Sequence, residues 1–358
     1  MSVFIIAEAG VNHNGSQDTA RRLIDVAVDA GADAVKFQMF KAGKVVSRHA
    51  PKALYQERTT DATETQFAML EKLELTEAAH RDLHGYAFSR GIEFLSTPFD
   101  ADSLRFLVRE LGLQTIKIPS GEVTNAPFLL QVARTGCRLI LSTGMSTMEE
   151  VREALSVLAF GASMSIDADP GREAFEKAFG DAEGQRRLRE RVTILHCTTE
   201  YPSPLEGVNL KAMNAMAEEF NLPVGYSDHT LGIHVPIAAV ARGAVVIEKH
   251  FTLDRTMPGP DHHASLGPGE LREMVQAIRE VELVLGDGIK RPASVEYKNR
   301  DVVRRSLTAV RNIAKGERFS SENIDCKRPG NGLSPLDYWE WLGRSAERDY
   351  EADQAIEP

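Results

Sequence analysis

What this sequence is short of narrows the choices first. It holds only three cysteines, Cys137, Cys197 and Cys326, which are odd in number and far apart. That suits a reducing, cytoplasmic compartment better than a disulfide framework. Positive charge is in deficit, with 42 Lys and Arg against 52 Asp and Glu, a net charge of −10. A chain so acidic is not expected to take nucleic acid or an anionic membrane surface as its main partner. No apolar run approaches the roughly 20 residues that a membrane-spanning helix needs. The start, MSVFIIAEAG, has no basic segment before its short apolar run, so it does not read as a signal peptide. The dinucleotide fingerprint is missing too, since the first turn reads AEAGVNHNG rather than GxGxxG. A soluble cytoplasmic protein is the expectation.

What is present is a repeat. Short β-branched runs end in polar residues and are followed by helix-length amphipathic segments. Strand starts fall near residues 3, 34, 93, 115, 138, 192, 223 and 244. Ser16 is placed to cap the first helix, and Ser146 with Glu149 fits a capping box for a later one. Strands alternating with helices predict a parallel sheet, and eight such units predict a closed (β/α)8 barrel. A doubly wound open sheet is the rival. The barrel is favoured because every strand places its polar cluster at the C-terminal end, the face on which barrel enzymes build their sites.

Two stretches depart from the repeat. Residues 41–66 lack clear periodicity and read as a long polar loop, and the charged segment 161–191 reads as an inserted helical excursion. The barrel is expected over 1–286, a polar linker over 287–305 and a small C-terminal domain over 306–358. So small a domain is expected to lean on the barrel or on a partner subunit.

The strand ends gather Glu8, Lys36, Gln38, Thr97, Lys117, Ser120, Glu122, Ser142, Thr199, Ser227, His229, Glu248 and His250. One serine after a strand is ordinarily a turn or a cap. Five strand ends repeating hydroxyls beside Lys36 and Lys117 point instead to a site for phosphate and carboxylate. His229 and His250, on neighbouring strands, are either structural histidines or a metal pair that leaves open positions for water and substrate. Imidazole suits several divalent ions. Glu8 reads as a general base for water or as an ion-pair partner of Lys36. His13, His262 and His263 read as loop residues, supporting or solvent-facing.

The motifs EAGVNHNG, AVKFQ, STPFD, IPSGE, LSTGM, HCTTEYPSP, YSDHT, EKHFTLD, GPDHHASL and KRPGNG occur in this order. Together they resemble the bacterial sialic acid (N-acetylneuraminate) synthases, a family that includes legionaminic and pseudaminic acid synthases. The resemblance covers nearly the whole chain outside 161–191. It implies a (β/α)8 barrel followed by an antifreeze-like (SAF) domain, in a homodimer whose small domains are swapped. It also implies a reaction in which phosphoenolpyruvate condenses with N-acetylmannosamine or a close relative, such as a 2,4-diacetamido-trideoxyhexose, and phosphate leaves with C–O cleavage. Carried over by motif, His229 and His250 would hold a divalent ion, Mn2+ in the family, with Mg2+ or Co2+ as alternatives. Glu8 would orient or deprotonate the attacking water. Lys36, Thr97, Lys117, Ser120, Ser142, Thr199 and Ser227 would grip phosphoenolpyruvate. Gln38, Glu122, Tyr201 and Asp261 would contact the amino sugar, and Arg328 would reach it from the other subunit. Two positions depart from the family pattern: Thr199 stands where some members carry Asn, and Gly267 where many carry Glu. A Schiff-base aldolase using Lys36, Lys117 or Lys249 is one rival. A non-catalytic barrel carrying a binding module is another.

Overall fold

Eight strands in the computed structural model run parallel: β1 (Phe4–Gly10), β2 (Ala34–Met39), β3 (Glu93–Pro98), β4 (Thr115–Ile118), β5 (Arg138–Ser142), β6 (Val192–Cys197), β7 (Val224–Asp228) and β8 (Val246–His250). The structure describes residues 2–61 and 63–357. The hydrogen-bonded order is β3-β2-β1-β8-β7-β6-β5-β4, and the end strands β3 and β4 lie against each other. The sheet is a nearly closed barrel, as the strand count predicts.

Alternation along each strand decides what faces where. Ile6, Ala34, Leu95, Ile140, Leu195 and Val246 form one apolar cluster inside the barrel. Their neighbours Ile5, Val35, Leu139, Ile194 and Ile247 join the outer cluster with helix residues such as Leu23, Leu83 and Leu271. On β8, Val246, Glu248 and His250 therefore face in, while Ile247 and Lys249 face out. Polar residues stack above the apolar plug, at the C-terminal mouth.

The helices between strands start on ordinary caps. Ser16, Thr76 and Asp100 accept backbone N–H groups at the heads of Gln17–Ala30, Glu77–Arg90 and Ala101–Arg109. The capping box of Met148–Ser163 uses Thr147 and Glu150, one residue beyond the expected pair, because Glu150 is the carboxylate that reaches back to the cap N–H. The expected loop over 41–66 contains the short helices Ala42–Val45 and Leu54–Thr59, and Gln66–Leu73 begins at its end. A local apolar cluster of Val11, Phe40, Met69 and Leu73 orders part of this stretch, and those residues are too scattered in sequence to show a period. Segment 161–191 is helical over Arg172–Gly180 and Ala182–Arg191. It is tied to the barrel's flank by Phe175 edge-on to Phe160 at 5.2 Å and by Arg152 over the Phe179 ring at 5.1 Å.

The chain divides into two compact units, Met1–Gly286 and Asp287–Pro358. The second unit begins with the helix Tyr297–Val303, inside the expected linker. It pairs β9 (Ser306–Ala309) antiparallel to β10 (Ile324–Lys327) over a core of its own, built from Leu307, Ile313, Phe319, Ile324, Tyr350 and Ile356.

Candidate active site

The polar strand ends converge on a cavity of about 260 Å3 at the mouth of the barrel. Strand register sets which residues meet. Glu8 lies level with Lys36 on one side and His250 on the other, and Ser227 lies level with Glu248. Lys36 Nζ sits 2.5 Å from Glu8 Oε2 and 3.5 Å from Glu248 Oε2, and donates to Thr97 Oγ1 at 3.0 Å. Lys117 Nζ approaches Glu248 Oε1 at 3.2 Å, and Ser227 Oγ donates to the same oxygen at 2.8 Å. All four charged side chains are buried. The ion pair of Glu8 with Lys36 is present, and it does not exclude the other role for Glu8.

The two carboxylates differ in character. Burial, opposed by Lys36 and reinforced by Glu248, pushes Glu8 up to about 7. Burial acts on Glu248 as well, but Lys117 and Lys36 outweigh it and hold that carboxyl well below the usual range. One member is a permanent anion and the other titrates near neutrality. That separation suits a proton acceptor beside a fixed charge. Burial also lowers Lys117.

The hydroxyls line the same cavity. Ser142 Oγ and Thr199 Oγ1 are buried and have no hydrogen-bond partner among the described residues. Ser120 Oγ accepts from the Gly144 N–H at 2.9 Å and lies 3.2 Å from Cys197 Sγ. A Cβ at Gly144 would collide with Thr199 Oγ1 and stand 3.0 Å from Ser120 Oγ, so glycine is what lets the backbone approach these hydroxyls.

The imidazoles line the same cavity, with ring centroids 5.7 Å apart. His229 Nδ1 lies 2.7 Å from the Thr198 carbonyl, which can only accept, so Nδ1 carries the proton and Nε2 keeps a lone pair. His250 Nδ1 is buried without a partner, 3.9 Å from Asp261 Oδ2. Burial lowers both rings, and the neighbouring His229 lowers His250 further. The Tyr201 ring packs on His229 at 4.1 Å and edge-on to His250 at 5.6 Å. Gly10, at φ +52°, turns β1 past His250, where a Cβ would lie 3.1 Å from the ring. Burial pushes Asp261 up to about 7.

Of the expected sugar contacts, Gln38, Tyr201 and Asp261 line the cavity. Glu122 does not. It sits in the turn Ser120–Glu122, accepting from Asn125 Nδ2 at 2.6 Å, because that turn rotates its side chain toward the next helix. Arg328 lies in the second unit, exposed and before a cis bond to Pro329. Gly267 heads the helix Pro268–Leu285 and is outside the cavity lining. His13 and His262 are buried, and only His263 is exposed. His262 joins Thr252 Oγ1 at 2.7 Å to Asn14 Oδ1 at 3.1 Å, and so ties two loops together.

Glu248, at the centre of the charge network, and Tyr55, which packs on Tyr201 at 5.0 Å, have no role among those expected from the sequence. The inward alternation of Glu248 with His250 was a usable signal for the first. Tyr55 lies in an aperiodic stretch and offered none.

Residues 23–290 match the NeuB family and residues 304–358 match the SAF domain. The chain belongs to the NeuB family. This NeuB-family chain is 49% identical over 352 residues to an N,N'-diacetyllegionaminic acid synthase of Campylobacter jejuni, covering 98% of each. It is 47% identical over 335 residues to the protein of the same description in Legionella pneumophila, covering 94% of this chain and 88% of that one. Among solved structures it is similar to an N-acetylneuraminic acid synthetase from Leptospira borgpetersenii, with 31% identity, a TM-score of 0.67, and coverage of 84% and 90%.

Such a family implies a divalent ion, and the donor set fits one in part. Two neutral imidazoles present lone pairs to one cavity, one of them on an unpartnered buried nitrogen. No group of three or more His, Cys, Asp or Glu residues forms a full ligand cluster among the described residues. The remaining positions would fall to water and substrate, as an open Lewis-acid site requires.

Proposed function

We propose that this chain condenses phosphoenolpyruvate with an N-acyl mannosamine-type sugar and water, releasing phosphate and forming a nonulosonic acid. Within that class we assign the sugar as a 2,4-diacetamido-trideoxyhexose, with N-acetylmannosamine as the second reading. The similarity of 49% and 47% to legionaminic acid synthases, against 31% to the sialic acid synthetase structure, favours the first. One observation carries the chemistry: two lysines, a titratable and a fixed carboxylate, unpartnered hydroxyls and two neutral imidazoles share one small cavity.

Lys36 and Lys117 supply charge for the phosphate and carboxylate of phosphoenolpyruvate, and Thr97, Ser120, Ser142, Thr199 and Ser227 supply hydroxyl donors. Gln38, Tyr201 and Asp261 hold the sugar with its aldehyde toward the histidine wall. The C3 carbon of phosphoenolpyruvate then bonds to the aldehyde carbon, and the aldehyde oxygen takes up a proton. His229 and His250 would hold a divalent ion, Mn2+ first among Mn2+, Mg2+ and Co2+, and the chemistry it supplies when bound is polarisation of that oxygen. Water adds to C2, and its proton passes to Glu8. The bond from C2 to the phosphate oxygen then breaks as the C2 hydroxyl gives its proton to that departing oxygen, which releases hydrogen phosphate and leaves the 2-keto acid.

Burial lowers Lys117 and Lys249, whereas Glu248 and Glu8 hold Lys36 raised against its own burial, and all three lysines are each engaged with a carboxylate rather than free to attack a carbonyl. Borohydride with pyruvate is therefore expected to leave no adduct on the protein, and a trapped lysine would sink the present reading. The deciding assay is phosphate release across N-acetylmannosamine and its 2,4-diacetamido-6-deoxy analogues, after EDTA treatment and with Mn2+ restored. Release with the diacetamido sugar, lost to EDTA and regained with Mn2+, is the expected result. A preference for N-acetylmannosamine moves the assignment to the second reading. No helix among the described residues is long and apolar enough to cross a membrane; a cytoplasmic location is part of the same proposal. The homodimer with swapped small domains, and Arg328 serving the partner's sugar site, belong to the same proposal.

A further inference from the structure

The outward face of β7 and β8 holds a buried ion pair for which the reaction has no use. Lys249 Nζ bonds Asp228 Oδ2, and neither side chain has any exposed surface. The same ammonium donates to the Thr230 carbonyl at 2.6 Å. Asp228 closes a turn around the intervening residue, with Oδ1 accepting from the Thr230 N–H at 3.0 Å and Oδ2 from Thr230 Oγ1 at 3.1 Å. The residue enclosed by that turn is His229. The residue following the lysine is His250.

A buried ion pair is a poor source of stability, because apolar residues of similar volume often serve as well or better. Its geometry here does something an apolar pair cannot. One ammonium grips both flanks of His229, at residues 228 and 230, and is covalently adjacent to His250. The opposite faces of the same residue pairs carry the site: Ser227 bonds Glu248 inside the barrel, one position before Asp228 and Lys249 outside it. The other charged groups nearby, Glu270 and Arg255, pair with each other, which leaves Lys249 committed to Asp228 and Thr230.

We propose that Lys249, with Asp228 and Thr230, is a positioning clamp that fixes the separation and tilt of the two imidazoles, 5.7 Å and 51° between rings. None of the three touches substrate. The clamp acts by removing freedom from the strand ends that carry His229 and His250, as supporting groups do for metal-binding histidines.

The test uses the full-length chain and two variants. Lys249→Met leaves the Asp228 carboxylate buried and unpaired and is expected to unfold readily. Asp228→Asn with Lys249→Met keeps the turn around His229, removes both charges and cuts the tie to β8. In the folded double variant, the Mn2+ dissociation constant, read from free Mn2+ by electron paramagnetic resonance, is expected to rise by about 10- to 100-fold. That arm rests on the proposed metal role. A second arm does not: carbethoxylation of His229 by diethyl pyrocarbonate, followed by peptide mass in the absence of metal. His229 is only 6% exposed, so the wild-type chain should react slowly and the double variant at least several times faster. A wild-type chain that binds no Mn2+ would overturn the metal role and leave the second arm to judge the clamp. A folded double variant with wild-type carbethoxylation, and wild-type Mn2+ affinity where Mn2+ binds, overturns the clamp.

Discussion

In the proposed reaction, Glu8 is the proton acceptor. Its carboxyl titrates near neutrality because burial outweighs Lys36, whereas Glu248, between two lysines, stays ionised. Glu8→Gln keeps the shape and removes the proton acceptor. Its kcat is expected to fall by roughly 10²- to 10⁴-fold with little change in the KM for phosphoenolpyruvate; comparable loss in KM would make Glu8 a binding residue instead. Asp261, which lines the same cavity, is its proposed counterpart on the sugar side. Asp261→Ala should raise the KM of the sugar far more than that of phosphoenolpyruvate, and equal effects would count against the assignment.

His13 makes a prediction about stability rather than turnover. Burial lowers its pKa to about 3, while a histidine in the unfolded chain titrates near ~6.5. Protonation therefore favours the unfolded chain. The contribution of neutral His13 is fully present above pH ~6.5 and is lost as the pH falls toward 3. His13→Gln cannot titrate, so its urea midpoint should drop less than the wild-type midpoint between pH 7 and pH 4. His80 and His262 are lowered in the same direction, so the slope should shrink rather than vanish. Identical slopes would show that His13 is free to protonate in the folded chain.

At the scale of elements, the strands were readable and the pieces between them less so. A parallel strand buried on both faces announces itself as a continuous apolar run, and the polar break after AVKFQ or TIKIPS marks the mouth of the barrel. Ser142, Ser227 and Lys117 were legible for that reason. Glu122 stands outside the cavity lining because the same break also starts a turn, and a turn residue can swing away from the cavity. The helices in 41–66 were hidden because their packing partners, Val11 and Phe99, come from distant parts of the chain. The cap at Thr147 offers a clean check of element-level reasoning. Thr147→Ala removes the hydroxyl that accepts from the Glu150 N–H and should cost about 1 kcal/mol in denaturant unfolding, while kinetic constants stay at wild type. A large loss of activity would mean that this helix start also shapes the site.

At the scale of the whole molecule, the proposal joins two chains in each site. Glu8 belongs to the unit Met1–Gly286 and Arg328 to Asp287–Pro358. If the small domains are exchanged between subunits, Glu8→Gln and Arg328→Ala chains, each weak alone, should recover activity when co-expressed. A mixed dimer would then hold one site with both native residues. If each Arg328 serves its own barrel, every site in the mixture carries a defect and nothing is recovered. Size-exclusion chromatography with light scattering gives the accompanying check, since a monomer would exclude exchange altogether.

The alternation on β8 constrains how this protein can change over time. Five residues, Val246–His250, place plug, charge network and imidazole on one face and the tie to β7 on the other. Losing or gaining one residue there would exchange the two faces, driving Lys249 into the cavity and Glu248 against the helices. Segment 161–191 has no such parity to keep, since it hangs between β5 and β6 on the flank. Length variation in natural or laboratory lineages should therefore collect in 161–191 and be purged from 246–250, as a scan of single-codon deletions would reveal.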